Sequence, residues 1–337
     1  MKLLNRPKRN KFNKPSSTKG IFYGWYLVGS SALINGLGGS IQWQGFTVFF
    51  IPVSQSLGLS SAQTSMVFAL SRAENGVIGP ITGWLIDKFG VRPLMFCGTA
   101  LAGIGYIWLS RTNTFLAFLL VYLFVVSLGA STSFMQATAA ALNTWFIKRR
   151  GVAMGINSAA YRLGAAFMVP LLSFVVLGWG WEMASLCIGI GMLVFIVPLT
   201  LLFRRSPETM GLLPDGESPS DLNSTISQIK PLSEEDTEFS PREAISTRSF
   251  WVLALATVLR ISVHGALFVH FVPLLVWKGE APQTAANLIG LLSLTAVPFI
   301  LLLGWLSDRI KRQYLLALSY SSSGLSLLLL IMVEGTW

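Results

Sequence analysis

Charge is what this chain has least of. Asp, Glu, Lys and Arg make up 12% of its 337 residues and apolar residues 53%, whereas soluble domains carry about 25% charged residues. So few charges cannot cover a surface in water, which excludes an ordinary soluble domain. Cysteine is almost absent. Cys97 and Cys187 fall near opposite ends of their apolar runs, which excludes a disulfide framework and a thiolate metal centre. Both are expected as core packing. The only histidines are His264 and His270. No acidic pair, nucleophile constellation, metal-ligand cluster or phosphate loop lies within or beside the apolar runs, so neither an enzyme, a cofactor nor a metal is expected.

What is present is hydrocarbon in long, nearly uncharged runs near 22–50, 62–86, 93–110, 114–143, 150–177, 181–203, 249–277, 283–307 and 313–333. Each is long enough for a helix of about 20 residues to cross a bilayer. The expected class is therefore an all-α integral membrane protein with about nine transmembrane helices. Basic residues set the orientation. With the N-terminus in the cytoplasm, 20 of the 25 Lys and Arg residues lie on the cytoplasmic side, and the outer loops hold only Arg111 and Lys278. That asymmetry predicts a multi-pass protein of the cell's inner (plasma) membrane with a cytoplasmic N-terminus. The net charge of +10 then belongs to the anionic inner leaflet and not to a nucleic acid. Residues 1–20 read as a basic cytoplasmic tail without a signal-peptide cleavage pattern.

Residues 204–248 hold nine of the fifteen acidic residues and no spanning run, so they read as a largely flexible cytoplasmic linker. Six runs precede it (21–203) and three follow (249–337). Ser240-Pro241-Arg242-Glu243 has the form of a capping box with proline at the first helical position, predicting a short helix into the seventh run. One phrase occurs twice: GWLIDKFGVRP from Gly83 to Pro93 and GWLSDRIKR from Gly304 to Arg312. The two copies end the second and eighth runs, equivalent positions in halves offset by six spans, as in transporters built from parallel repeats. Gly83 and Gly304 would permit close helix approach. Asp87 and Asp308 would face a helix N-terminus or a base, with Lys88, Arg92 and Arg309 beside them.

GWLIDKFGVRP resembles the loop signature between the second and third spans of the major facilitator superfamily, and GWLSDRIKR its weaker second-half echo. WFIKRRGVAMGINSAAYRLG (145–164) and RRSPETMGLLPDG (204–216) resemble the monocarboxylate and oxalate/formate-type branch. The resemblance implies a major facilitator-type bundle, and nine spans would be 6 + 3 of an expected 6 + 6. Either the chain is a piece of a longer one or its second half is three spans short. Members of that branch often carry Gly-Arg five residues before the glycine corresponding to Gly304; here Phe299-Ile300 stand there.

Four ionised side chains fall well inside the runs, away from their ends: Arg72, Glu74, Arg162 and Arg260. At helical rise they lie roughly 16 to 22 Å from the cytoplasmic ends of their runs, close to the middle of a hydrocarbon core about 30 Å thick. Each arginine would cost on the order of 3 kcal/mol or more against lipid, so each is expected to face the interior or a wet cavity. Three guanidinium groups against one carboxylate favour an anionic passenger. Arg72 and Glu74 stand about 200° apart around their helix and cannot pair. The resemblance places the first, fourth and seventh spans along the central path. Arg260 is therefore the leading substrate ligand, supported by Arg162, Arg72, His264, Gln136 and Asn35. Glu74, His264 and His270 are candidates for coupling to a proton. Gly83, Asp87, Lys88, Arg92, Gly304, Asp308 and Arg309 are candidate gate residues. Gly151, Gly155 and Ala159 form a small-residue stripe expected at a helix contact. The reading is a monomeric secondary transporter moving a small organic anion, a mono- or dicarboxylate, by alternating access. Its rivals are proton-driven drug efflux through Glu74 and a non-transporting membrane sensor or scaffold.

Overall fold

The computed structural model describes residues 22–216, 241–307 and 312–332. Helices occupy the apolar runs. They are α1 (residues 23–56), α2 (Ser61–Phe89), α3 (Val91–Leu109), α4 (Phe115–Trp145), α5 and α6 (the two arms of a rod over Arg150–Thr200), α7 (Arg248–Trp277), α8 (Pro282–Ser307) and α9 (Arg312–Met332). The first helix outruns its expected end by six residues because Pro52 is accommodated within its last turns. Among the described residues four helices, Phe115–Trp145, Arg150–Thr200, Arg248–Trp277 and Pro282–Leu303, are long and apolar enough to cross a membrane by length and composition.

Local chemistry sets the boundaries. Ser60 and Gln63 close a capping box at the start of α2, the Gln63 N–H donating to Ser60 Oγ at 3.2 Å and the Ser60 N–H to Gln63 Oε1 at 2.9 Å. The hydroxyls of Thr114 and Thr247 accept from the N–H groups of Ala117 and Phe250 at the starts of α4 and α7. Gly180, at φ 85° and ψ 165°, breaks the rod between α5 and α6 in a conformation that only glycine adopts readily. The short helix Pro241–Ser246 forms ahead of α7 as expected, while Ser240 of its capping box lies outside the described residues.

Glycines bring backbones into contact at three crossings. A Cβ on Gly164 of α5 would stand 1.8 Å from the carbonyl oxygen of Gly36 in α1. One on Gly129 of α4 would meet Gly98 O of α3 at 2.5 Å, and one on Gly189 of α6 would meet Gly103 O of α3 at 2.6 Å. The expected stripe at Gly155 is not such a contact: no atom outside its own helix lies within 4 Å of that position. The small residues that matter on α5 sit further along, on a different face. Both thiols also depart from expectation, since Cys97 and Cys187 are exposed on the flanks of the bundle and do not pack in its core.

The helices before and after the linker meet at the end away from it. The Gln283 amide donates to Pro170 O at 3.2 Å, Ser293 Oγ to Gln44 Oε1 at 3.1 Å, and the Val272 N–H to Thr47 Oγ1 at 3.3 Å. Along α7, Val269 and Val272 are 4% exposed, whereas Leu255 and Val258 nearer the linker are 61% and 59% exposed. The bundle is thus closed at one end and parted at the other.

The first part of the linker packs against the bundle. Asp215, with a positive φ of 58°, turns its carboxylate onto the turn between α4 and α5. There it accepts from the backbone N–H groups of Ile147 and Lys148 at 2.8 Å and of Arg149 at 3.2 Å. Arg205 donates to the carbonyl oxygen of Asp87 at 3.2 Å, and Tyr23 to that of Leu202 at 2.7 Å. Residues 202–216 therefore clasp the ends of α1, α2 and α4.

Candidate functional site

Arg72, Arg162 and Arg260 stand on α2, α5 and α7, all turned toward aromatic rings. The Arg72 guanidinium stacks 3.5 Å from the centre of the Trp43 ring and 4.4 Å from that of Phe68, and donates to Trp43 O at 3.4 Å. Such stacking suits a planar, weakly hydrated cation. Tyr122 and Tyr161 lie within its electrostatic reach. Arg162 stands 5.7 Å from the Tyr161 ring and 5.9 Å from the Phe268 ring. His264 packs on Phe268 with ring centres 4.5 Å apart, in electrostatic range of both Arg162 and Arg260. Arg260 is exposed and stands 5.3 Å from the Tyr320 ring. Together Arg260, His264, Tyr320 and Ser323 line a cavity of about 340 Å³ between α7 and α9, within the size range of small-molecule sites. Arg162 and His264 thus share the Phe268 ring, and His264 and Arg260 share the cavity.

Among the described residues no carboxylate pairs with these guanidinium groups. Glu74, the one acid at their depth, accepts instead from Ser127 Oγ of α4 through Oε2, while its Oε1 is buried without a partner. The other candidates divide. Asn35 is 1% exposed and spent on cross-linking helices, donating to Thr138 Oγ1 at 2.8 Å and Asn157 Oδ1 at 3.0 Å. Gln136 is exposed and faces α2 across Gly79. His270 is separate from His264: it lies at the closed end, 3.4 Å from Ser65 Oγ and 5.2 Å from the Phe50 ring.

At the repeated phrase, Gly83 faces open space, with no neighbouring helix within 4 Å of its Cβ position. Lys88 lies over Trp84 at 4.8 Å and Phe89 at 5.3 Å. Arg92 is half-buried. A base does reach Asp87, but it is Arg205 from the linker and its target is the backbone carbonyl. Gly304 lies in α8, and Asp308 and Arg309 fall outside the described residues. The aromatic surround of Arg72 and the Asp215 clasp were missed by the sequence reading. A Pro-Asp-Gly turn was the only signal for the second.

Long apolar helices that carry arginines within their spans define a multi-pass membrane protein. The chain belongs to the Major Facilitator Superfamily, whose family model matches residues 28–337. It is 28% identical over 231 residues to an oxalate:formate antiporter of Oxalobacter formigenes, covering 68% of this chain and 50% of that protein. It is 23% identical over 307 residues to monocarboxylate transporter 11 of Homo sapiens, covering 90% of this chain and 61% of that one. A probable sulfoacetate transporter of Cupriavidus necator is 26% identical over 156 residues, or 46% of this chain and 36% of that protein. The chain therefore spans only part of the length of these relatives. Among solved structures, a bacterial homolog of the human lysosomal transporter Spinster, in an inward-facing and unoccupied conformation, shares the fold. Its TM-score is 0.61 at 22% identity, over 87% of this chain and 64% of that one.

Proposed function

We propose that this chain forms the path of a secondary transporter that moves a small organic anion, a mono- or dicarboxylate, by alternating access. The observation that carries the reading is three guanidinium groups set within the apolar helices with no carboxylate paired to them among the described residues. An uncompensated cation in a low-dielectric interior is costly, and a carboxylate passenger offsets that cost through charge-assisted hydrogen bonds. Relatives named for oxalate and formate, for monocarboxylates and for sulfoacetate support the substrate class. Arg260 binds the anion in the cavity it shares with His264, Arg162 approaches from the facing helix, and Arg72 supplies the third positive charge. His264, which shares the Phe268 ring with Arg162 and the cavity with Arg260, is the coupling group for a proton. Where branch members carry an arginine on the eighth span this chain has Phe299-Ile300, so the binding charge falls to α5 and α7. With the linker in the cytoplasm, the parted end makes this conformation open to the cytoplasm, and Asp87 and Asp308 belong to the gate that closes there.

The test is uptake of labelled oxalate, formate and short monocarboxylates by the full chain in proteoliposomes. Arg260→Ala is expected to lower uptake of the preferred anion at least tenfold, as removing one partner of a bidentate charge pair does. Full uptake by that variant overturns the role of Arg260. Extrusion of cationic amphiphiles without anion flux would replace the reading with drug efflux.

A further inference from the structure

A second polar cluster lies apart from the arginines, between α2 and α4. Ser127 Oγ donates to Glu74 Oε2, and Ser131 Oγ lies 2.8 Å from Asn75 Oδ1 and 2.7 Å from Ser127 O. The Asn75 amide nitrogen is committed to Ser71 O at 2.6 Å, which turns its carbonyl oxygen toward Ser131. Glu74 Oε1 is buried and accepts nothing. Oxygen atoms from two adjacent side chains of α2 and two of α4, one turn apart, thus face one another across this contact in two pairs, with only two hydroxyl hydrogens to share among them. Ser127 also ends a π-helical stretch, Tyr122–Ser127, an irregularity that recurs at functional sites.

A hydrogen-poor cluster of oxygens around a half-buried carboxyl, one oxygen of which is inaccessible and unpartnered, is the donor set of a hard cation. We propose that Glu74, Asn75, Ser127 and Ser131 form a binding site for a monovalent cation, sodium, co-transported or structural to the transport cycle. One proton would satisfy only one of the unshared lone pairs. A sodium ion engages several oxygens at once and neutralises the Glu74 carboxylate, whose unpaired burial is otherwise costly. The charge count supports a monovalent ion, since the cluster contains one acid and two hydroxyls. Glu74 and Arg72 face different sides of α2, so the cation site stands independently of the anion reading.

The probe is sodium chloride exchanged for choline chloride at constant ionic strength and pH, with no carboxylate present, and the readout is the thermal denaturation midpoint of the purified full chain. Wild type is expected to show a saturable rise with sodium, following mass action for a ligand of the folded state. Glu74→Gln is expected to lose the rise, and Ser131→Ala to shift half-saturation upward on the order of tenfold. If Glu74→Gln does not fold, equilibrium binding of radiolabelled sodium to the wild type decides, with one saturable site expected. A wild type that responds to pH but not to sodium, or equal responses in wild type and Glu74→Gln, overturns the proposal and leaves a protonated carboxyl. Loss of anion uptake in Arg260→Ala with sodium binding intact would separate the two sites.

Discussion

At the scale of single residues, the three arginines differ in what holds them. Arg72 is clamped between Trp43 and Phe68, whereas Arg260 is exposed on a cavity with only Tyr320 beside it. A clamped guanidinium is pre-organised, so little of its rotamer freedom is lost when an anion arrives. Lysine keeps the charge but cannot stack its compact, strongly hydrated head in the same way. Arg72→Lys is therefore expected to weaken anion binding by about 1 to 2 kcal/mol, on the order of tenfold, measured by titration calorimetry with the preferred carboxylate. Unchanged affinity in Arg72→Lys would show that only the charge of Arg72 matters.

Between elements, backbone proximity decides which glycines are indispensable. At the α1–α5 crossing a Cβ on Gly164 meets the Gly36 carbonyl oxygen at 1.8 Å, and a backbone atom cannot rotate away as a side chain can. Gly164→Ala is expected to force the two helices apart at a cost of about 3 kcal/mol or more, seen as a lowered denaturation midpoint and a reduced yield of monodisperse protein. Gly155→Ala, which meets nothing within 4 Å, is expected to be neutral or to stabilise by up to about 1 kcal/mol through helix propensity. If both variants behave alike, the crossing is not where the structure puts it. The π-helical stretches Asn35–Gly39 and Ile41–Gly45 lie beside this crossing in α1, and Trp43, which stacks on Arg72, belongs to the second of them.

For the whole molecule, the arrangement is one of contact at a single end. Thr47 and Val272 meet there at 3.3 Å, together with Ser65 and His270 at 3.4 Å, while the linker-side half of α7 is open. Thr47→Cys with Val272→Cys, in a chain whose exposed Cys97 and Cys187 are replaced by serine, is expected to be joined by a short bifunctional thiol reagent in the absence of substrate. The joined protein is expected to lose transport until the link is cleaved, because alternating access requires this end to part. Absence of cross-linking, read from gel mobility after protease cleavage in the linker, would show that the closed end is not populated.

Membrane residence and helix positions were legible from the sequence, because span length, apolarity and the proline that starts the short helix at Pro241 are local properties. The positions of Arg72, Glu74, Arg162 and Arg260 along their helices are likewise only a count of residues. Tertiary structure alone decided rotation and pairing. It sent Asn35 into a cross-link, paired Glu74 with Ser127, turned both thiols outward, left Gly155 open while closing on Gly164, and folded Asp215 onto the α4–α5 turn. The physical reason is that lipid tails and bundle interior are equally apolar, so the hydrophobic pattern of a membrane helix carries little information about which face meets a neighbour. That information resides in backbone contacts and hydrogen bonds between helices distant in sequence, which exist only once the bundle has assembled.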